Sequence, residues 1–236
     1  MSTVASTTRL HLNKREITFA VPLYITAIVA VVSVLIALMF WRAGSIPGTG
    51  EWIEGSRNNP GIANALAGFI GYLGVQSVAT TFPFALGMGS TRKAFVTGQL
   101  LWTVIVSAYL TVIFAALLLI ELATGHWFSD FYIFDVNVLG AGDLSKLIPI
   151  VFLGSLALLT AGGAFGAVWV RYGPRGPVVL GAAVAIAVIA ALIVVIPSAE
   201  QIFASFELWW LAIAALGVAA AASVGTWLFL RSAIVR

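Results

Sequence analysis

The chain has 236 residues, of which 61% are hydrophobic and 9% charged, and its mean hydropathy is +1.07. These values lie outside the range of soluble globular domains, so water is not the main solvent of this protein. The formal net charge is +3, and the absence of cysteine excludes disulfide and thiolate chemistry within the chain.

Six apolar stretches without charged residues follow one another along the chain. Each is long enough to cross a bilayer core of about 30 Å as a helix. They cover Ile17 to Trp41, Ile62 to Leu86, Phe95 to Ile120, Leu147 to Val170, Val178 to Ile196, and Leu208 to Leu230. The connections are too short for a second domain, so the sequence predicts an all-α polytopic membrane protein with a single transmembrane domain, residues 1–236.

The first apolar stretch follows a basic segment, as the apolar part of a signal peptide does. Its run is too long for a signal peptide, and it ends in Met39, Phe40 and Trp41 instead of small residues suited to cleavage. We interpret it as a retained membrane anchor and as the first helix of a six-helix bundle, residues 17–230.

Basic residues are distributed unevenly between the connections. With a cytoplasmic amino terminus, nine of the twelve lie inside: Arg9, Lys14, Arg15, Arg92, Lys93, Arg171, Arg175, Arg231 and Arg236. Eight of the nine acidic residues then lie outside, and Glu16 is the exception. Because inner loops are enriched in Lys and Arg, we predict that both ends are cytoplasmic. Residues 1–16 form a basic or amphipathic cytoplasmic segment, and residues 231–236 a cytoplasmic tail.

The predicted outer loop between the third and fourth spans is rich in aromatic side chains. They are Trp127, Phe128, Phe131, Tyr132 and Phe134. We predict that part of this loop lies at the headgroup level as an aromatic belt, with a cap over a substrate as the alternative. The ionisable residues of the loop match no metal-ligand spacing, so we interpret them as solvated charges: Glu121, His126, Asp130 and Asp135.

Within the predicted bounds, the six spans contain no Asp, Glu, Lys, Arg or His. Proton relays and most ion-coupled carriers keep such groups in the membrane, although sodium can be bound by backbone and hydroxyl oxygens alone. The sequence also lacks the Gly-Lys-Ser/Thr of a phosphate loop and the Gly-x-Ser-x-Gly of an intramembrane serine protease. We therefore predict that the chain is not an enzyme and that active transport needs energy from a partner.

Polar side chains recur every four residues on two spans, so that each set lines one helix face. On the second span they are Tyr72, Gln76 and Thr80, and on the third they are Gln99, Thr103, Ser107 and Thr111. Two interpretations are open: the stripes border a translocation path, or they join neighbouring helices, and we favour helix contact.

The segment between the second and third spans is the most distinctive of the chain. It reads Phe84-Ala-Leu-Gly-Met-Gly-Ser-Thr-Arg-Lys-Ala-Phe-Val-Thr-Gly-Gln99. Gly87 and Gly89 can end the second helix, and Ser90 or Thr91 can cap a new one. The pattern predicts a short helix against the cytoplasmic membrane face.

This segment resembles the loop between the second and third spans of the permease subunits of type-2 ABC transporters, which have an ABCG-like fold. In that family the loop commonly reads Gly-x-Ser/Thr-Arg-Arg/Lys-x-Phe and forms a coupling helix on the ATPase. The matching residues here are Gly89, Ser90, Thr91, Arg92, Lys93 and Phe95, with Thr91 as an insertion. The resemblance implies that these six residues couple the membrane domain to an ATPase.

The resemblance further implies a permease subunit of an ATP-driven exporter in a bacterial cytoplasmic membrane. Its partners are a separate ATP-binding subunit, which holds ATP and magnesium, and a second permease subunit, identical or similar. No cofactor is expected in this chain. In that family the second and fifth spans line the cavity, so the wholly apolar fifth span implies a lipophilic or amphipathic cargo. The alternatives are a non-transporting scaffold or immunity subunit, and an ion-coupled secondary carrier.

Overall fold

The computed structural model describes residues 4–205 and 207–233, and every regular element within them is a helix. The longer helices are α1 (Val4–Leu12), α2 (Val21–Arg42), α3 (Gly50–Arg57), α4 (Gly61–Ala79), α5 (Thr81–Gly87), α6 (Arg92–Ala123), α7 (Leu144–Tyr172), α8 (Arg175–Val195), α9 (Ala199–Ala204) and α10 (Leu208–Leu230). A π-helical turn, Glu16–Ala20, leads into α2, and 3₁₀ turns cover Asn137–Leu139 and Ile196–Ser198. The tail residues 234–236 lie outside the described residues, as do residues 1–3 of the basic segment.

Six helical segments are long and apolar enough to cross a membrane. They are Glu16–Arg42, Gly50–Gly87, Arg92–Ala123, Leu144–Tyr172, Arg175–Ser198 and Leu208–Leu230. The prediction of an all-α chain with six helices long and apolar enough to span a membrane is confirmed for the described residues. The helices run further than the apolar stretches, so that charged residues such as Arg42, Lys93 and Arg171 occupy their terminal turns.

The helix of the second span is interrupted at Thr80, between α4 and α5. Pro83 accounts for the interruption, because it has no N–H to donate to the carbonyl of Ala79 and its ring crowds that carbonyl. The predicted loop before the second apolar stretch, Ile62 to Leu86, contains a helix that the sequence did not predict. In that helix, α3, the side chain of Thr49 accepts a hydrogen bond from the backbone N–H of Trp52 and caps the first turn.

Helix α7 is the centre of the bundle and packs against α4, α6 and α10. Its approach to α4 is close because Gly74 of α4 faces Gly162 of α7, and neither residue has a side chain to hold the backbones apart. Most side chains of α8, by contrast, are exposed on the outside of the bundle. From Val178 to Val195 the helix has the wholly apolar surface that lipid requires.

Candidate functional site

The two ends of the described chain lie on one side of the bundle. We call this side the terminal face; it consists of α1, the turn 88–91, the turn 173–174 and the carboxyl end of α10. A hydrogen bond from Arg92 Nη2 to the carbonyl oxygen of Ala233, 2.8 Å long, joins the start of α6 to the end of α10 there. The opposite side, with α3 and residues 124–143, is the loop face.

The turn 88–91 connects the second and third spans on the terminal face. Helix α5 ends at Gly87, and Gly89 has a left-handed φ of +82°, which favours glycine. Thr91 Oγ1 accepts a hydrogen bond from the backbone N–H of Ala94 at 3.2 Å, so the predicted cap is present. The helix that it caps is α6 itself. The short helix of this region, α5, precedes the motif, and the described residues contain no separate helix between Gly89 and α6.

The six residues predicted to couple to an ATPase differ in exposure. Gly89, Thr91 and Lys93 are exposed, whereas Ser90 and Arg92 are half-buried. Phe95 is fully buried, and its ring packs edge-on against Phe82 at a centroid distance of 5.0 Å. Phe95 therefore lies in the core beneath the turn and cannot itself contact a docked subunit.

Arg92 ties the third span to the sixth. Its guanidinium donates to the backbone carbonyls of Arg231 and Ala233, just beyond the carboxyl end of α10. The last carbonyls of a helix have no partner within the helix, and a cation near them also interacts favourably with the helix dipole. The exposed positive charge of the first turn of α6 is thus that of Lys93.

Replacing Arg92 with glutamine should loosen the end of α10, because two carbonyls lose a charged donor. We expect the backbone amides of residues 230–233 to exchange hydrogen about ten-fold faster, as loss of a charge-assisted hydrogen bond predicts. Hydrogen–deuterium exchange with mass spectrometry measures this. The matched control is Lys93→Gln, which should leave that exchange unchanged, and equal exchange in all three proteins would contradict the tie.

The amino-terminal segment forms α1, which packs its polar side against α6. Thr7, Thr8 and His11 are buried, and Thr8 Oγ1 donates to the carbonyl oxygen of Gly98 at 3.2 Å. The side of α1 that faces the protein is therefore the one with the threonines and the histidine, not an apolar side. Their spacing, positions 7, 8 and 11, is the signal that could have revealed the contact.

The His11 ring lies between two aromatic rings of α6. The centroid distances are 5.5 Å to Phe95 and 5.3 Å to Trp102. Burial, and secondarily the charge of Lys14, lowers the pKa of His11 to about 4. The imidazole is therefore neutral at pH 7, with one nitrogen donating and the other accepting.

The two polar stripes have different surroundings. Gln99, Thr103, Ser107 and Thr111 of α6 are all buried, and Gln99 Nε2 donates to Ser77 Oγ on α4 at 3.4 Å. On α4, Tyr72 and Thr80 are exposed and Gln76 is half-buried, with Gln76 Nε2 donating to Tyr72 Oη at 3.1 Å. The third-span stripe thus lies between helices, while the second-span stripe is exposed or half-buried on α4.

Two larger cavities border α2. One, of 680 Å³, lies at the loop face between the end of α2 and residues such as Trp52 and Tyr132. The other, of 440 Å³, is almost wholly apolar and lies between α2, Leu117 of α6 and Phe134. The described residues that line these cavities include none from α8. An apolar volume such as that of the second cavity suits lipid chains or lipophilic molecules.

The interpretation of Glu121 as a solvated charge is wrong. Glu121 organises the loop face. Its carboxylate is fully buried and accepts hydrogen bonds from Trp127 Nε1 at 2.9 Å and from the backbone N–H of Phe134 at 2.9 Å. The backbone N–H groups of Ile133 and Asp135 donate to it as well. A single carboxylate therefore holds the chain reversal at residues 127–135 in place.

Asp135 is also fully buried, so its interpretation as a solvated charge is wrong as well. Its Oδ2 lies 2.7 Å from Arg57 Nη2 and 3.0 Å from His126 Nε2, and the His126 ring stacks on Tyr132 at 4.0 Å. Tyr132 and Phe134 are buried within the loop between the third and fourth spans, whereas Phe128 is highly exposed. The five aromatic rings of this loop therefore do not form one belt. No group of three or more metal-ligating side chains occurs among the described residues.

Comparison with family models, with curated proteins and with solved structures gives no match for this chain. The resemblance to type-2 ABC permeases through residues 87–95 therefore stays a prediction. The described part of the chain is a bundle with six helices of membrane-spanning length, and its terminal face and loop face differ in composition.

Proposed function

We propose that this chain is the permease subunit of an ATP-driven exporter of the type-2 ABC class. It moves a lipophilic or amphipathic molecule, such as a drug, lipid or peptide, outward across a bacterial cytoplasmic membrane. The observation that carries the proposal is the largely exposed turn 88–91, which joins the second and third spans directly and is followed by exposed Lys93 in the first turn of α6. A subunit that pushes on this turn moves both helices.

The proposed orientation places the terminal face in the cytoplasm. Of the described basic residues, eight belong to the terminal face: Arg9, Lys14, Arg15, Arg92, Lys93, Arg171, Arg175 and Arg231. Three belong to the loop face: Arg42, Arg57 and Lys146. The positive-inside rule favours this orientation, and it leaves the turn 88–91 accessible to a cytoplasmic ATPase.

The source of energy is proposed to be a separate ATP-binding subunit, with ATP and magnesium bound there. The middle parts of the spans carry no ionisable group, and the buried Glu121 near the end of α6 is held by an indole N–H and by backbone N–H donors. The absence of ionisable groups from the middle of the spans disfavours the ion-coupled carrier. A second permease subunit, identical or similar, completes the transporter.

Purification from native membranes tests the complex. We expect a soluble protein with a Gly-Lys-Ser/Thr phosphate loop to co-purify, and the reconstituted pair to move a fluorescent phospholipid on addition of ATP. Co-purification without any ATP-dependent movement would favour the scaffold or immunity subunit. Transport by the chain alone, driven by a proton or sodium gradient, would overturn the proposal in favour of a carrier.

Reversal of one charge tests the coupling role of the turn. Lys93→Glu should lower ATP-dependent transport about ten-fold, since an attractive contact with the ATPase becomes repulsive. Folding should persist, because Lys93 is exposed and an acidic residue is favoured in the first turn of a helix. Arg92 is left intact because it also holds α10. The matched control is Lys146→Glu on the loop face, and equal transport by both variants would contradict the coupling role.

A further inference from the structure

A small cavity lies on the terminal face, between the amino-terminal segment and the second and third spans, and several polar side chains stand in its mostly apolar lining. Its volume is 80 Å³, and it is lined in part by His11, Lys14, Thr18, Gln76, Thr81 and Trp102. A water molecule takes up about 30 Å³ in the liquid, so this volume suits a group of a few heavy atoms. It is the size of one acidic headgroup, not of a whole amphiphile.

Two buried side chains of the lining have ring nitrogens without a hydrogen-bond partner. His11 and Trp102 are each only 2% exposed, and the atoms concerned are His11 Nε2 and Trp102 Nε1. An unsatisfied buried polar group costs about 1–3 kcal/mol, so folded proteins rarely keep one without a ligand or water to bond it. Both residues line the cavity, so their unpaired nitrogens favour a polar ligand in it.

The chemistry of the lining selects an anion. Lys14 Nζ donates to Thr81 Oγ1 at 3.0 Å and more weakly to Thr80 Oγ1 at 3.4 Å, so its three donors leave one for a ligand. Trp102 Nε1 is a donor only, and hydroxyl groups of Thr18 and Thr81 add further donors. Of the described residues that line the cavity, none is acidic.

The position of the cavity selects the source of the anion. Tyr72 and Ile17 also line it, and both are about half exposed on the outside of the bundle. Lys14 lies just before the first span, which begins at Glu16, whereas Tyr72 and Leu73 lie deeper along the second span. The charged end of the cavity is therefore at the level of the lipid headgroups.

We infer that this cavity binds the phosphate group of an anionic phospholipid, with Lys14 as its charge partner and Trp102 and His11 as hydrogen-bond partners. The lipid fixes the amino-terminal segment against the second and third spans, next to the turn 88–91. The inference needs only a membrane-embedded chain, so it stands or falls independently of transport.

Lipid retention by the purified protein tests the inference. Native mass spectrometry in a neutral detergent and a phosphate-free buffer should show one bound phosphatidylglycerol per chain and weaker binding of phosphatidylcholine, whose choline repels Lys14. Lys14→Gln should weaken the phosphatidylglycerol affinity about ten-fold, and Trp102→Phe less, since a hydrogen bond to a charged group contributes on this scale. Arg15→Gln is the matched control, because Arg15 is exposed and does not line the cavity.

Three results would overturn the inference. Equal weakening by Lys14→Gln and Arg15→Gln would show diffuse attraction to the membrane surface instead of a site. Inorganic phosphate that competes at the concentration of the lipid would identify free phosphate as the ligand. Absence of retained phosphatidylglycerol in the unaltered protein would end the proposal directly. Because Lys14 is an exposed residue, its variant keeps the test valid even if Trp102→Phe fails to fold.

Discussion

Replacing Gly162 with alanine is expected to separate α4 from α7 and to lower the free energy of unfolding by about 3 kcal/mol or more. An added Cβ would lie 2.3 Å from the carbonyl oxygen of Gly71 and 2.9 Å from the Cα of Gly74. Both neighbours are backbone atoms, so a shift of the whole helix is the only relief. Because α7 is the central helix, this shift disturbs its packing against α6 and α10 as well.

Gly154→Ala in the same helix is the matched control. A Cβ at Gly154 meets nothing within 4 Å, and alanine favours a helix over glycine by about 1 kcal/mol. Thermal unfolding in detergent, followed by circular dichroism and by size-exclusion chromatography, compares the two variants. We expect early unfolding and aggregation of Gly162→Ala and unchanged or slightly improved stability of Gly154→Ala. Equal stability would show that the close approach of α4 and α7 does not contribute to the fold.

Removing the carboxylate of Glu121 is expected to unfold the loop face. In Glu121→Ala the indole N–H of Trp127 and the backbone N–H groups of Ile133, Phe134 and Asp135 lose their acceptor. Each buried donor left unpaired costs about 1–3 kcal/mol, so the loss of four hydrogen bonds should exceed the free energy that keeps the loop folded. Residues 124–143 should become sensitive to protease while the six spans persist.

Limited proteolysis with mass spectrometry locates the new cleavage sites. Glu54→Ala is the matched control, because Glu54 is an exposed acidic residue of the same face. Glu121→Gln should have an intermediate effect, since one acceptor oxygen remains but the new NH₂ group faces donors. If Glu121→Ala is as resistant as Glu54→Ala, the carboxylate does not hold the loop.

The six spans were predictable because a bilayer demands long apolar helices, and that demand is written directly in local composition. The cap at Thr91 was predictable for the same kind of reason, since a hydroxyl at the start of a helix needs only its own next turn. The burial of Phe95, by contrast, was not predictable from the sequence. Whether an aromatic residue beside a basic pair faces a partner or the core depends on its neighbours in space. Here these neighbours are Phe82 and α1, which belong to other helices.

The amino-acid sequence alone determined that this chain is an all-α membrane protein, that its helices have these approximate bounds, and that its basic residues gather at one set of helix ends. Only the tertiary structure decided that Glu121 and Asp135 are buried, that Arg92 binds the end of α10, and that His11 and Trp102 meet at one cavity. The physical reason is the distance along the chain over which each interaction acts. Hydropathy and caps act over one or two turns, whereas hydrogen bonds and burial join residues that are brought together only when the helices pack.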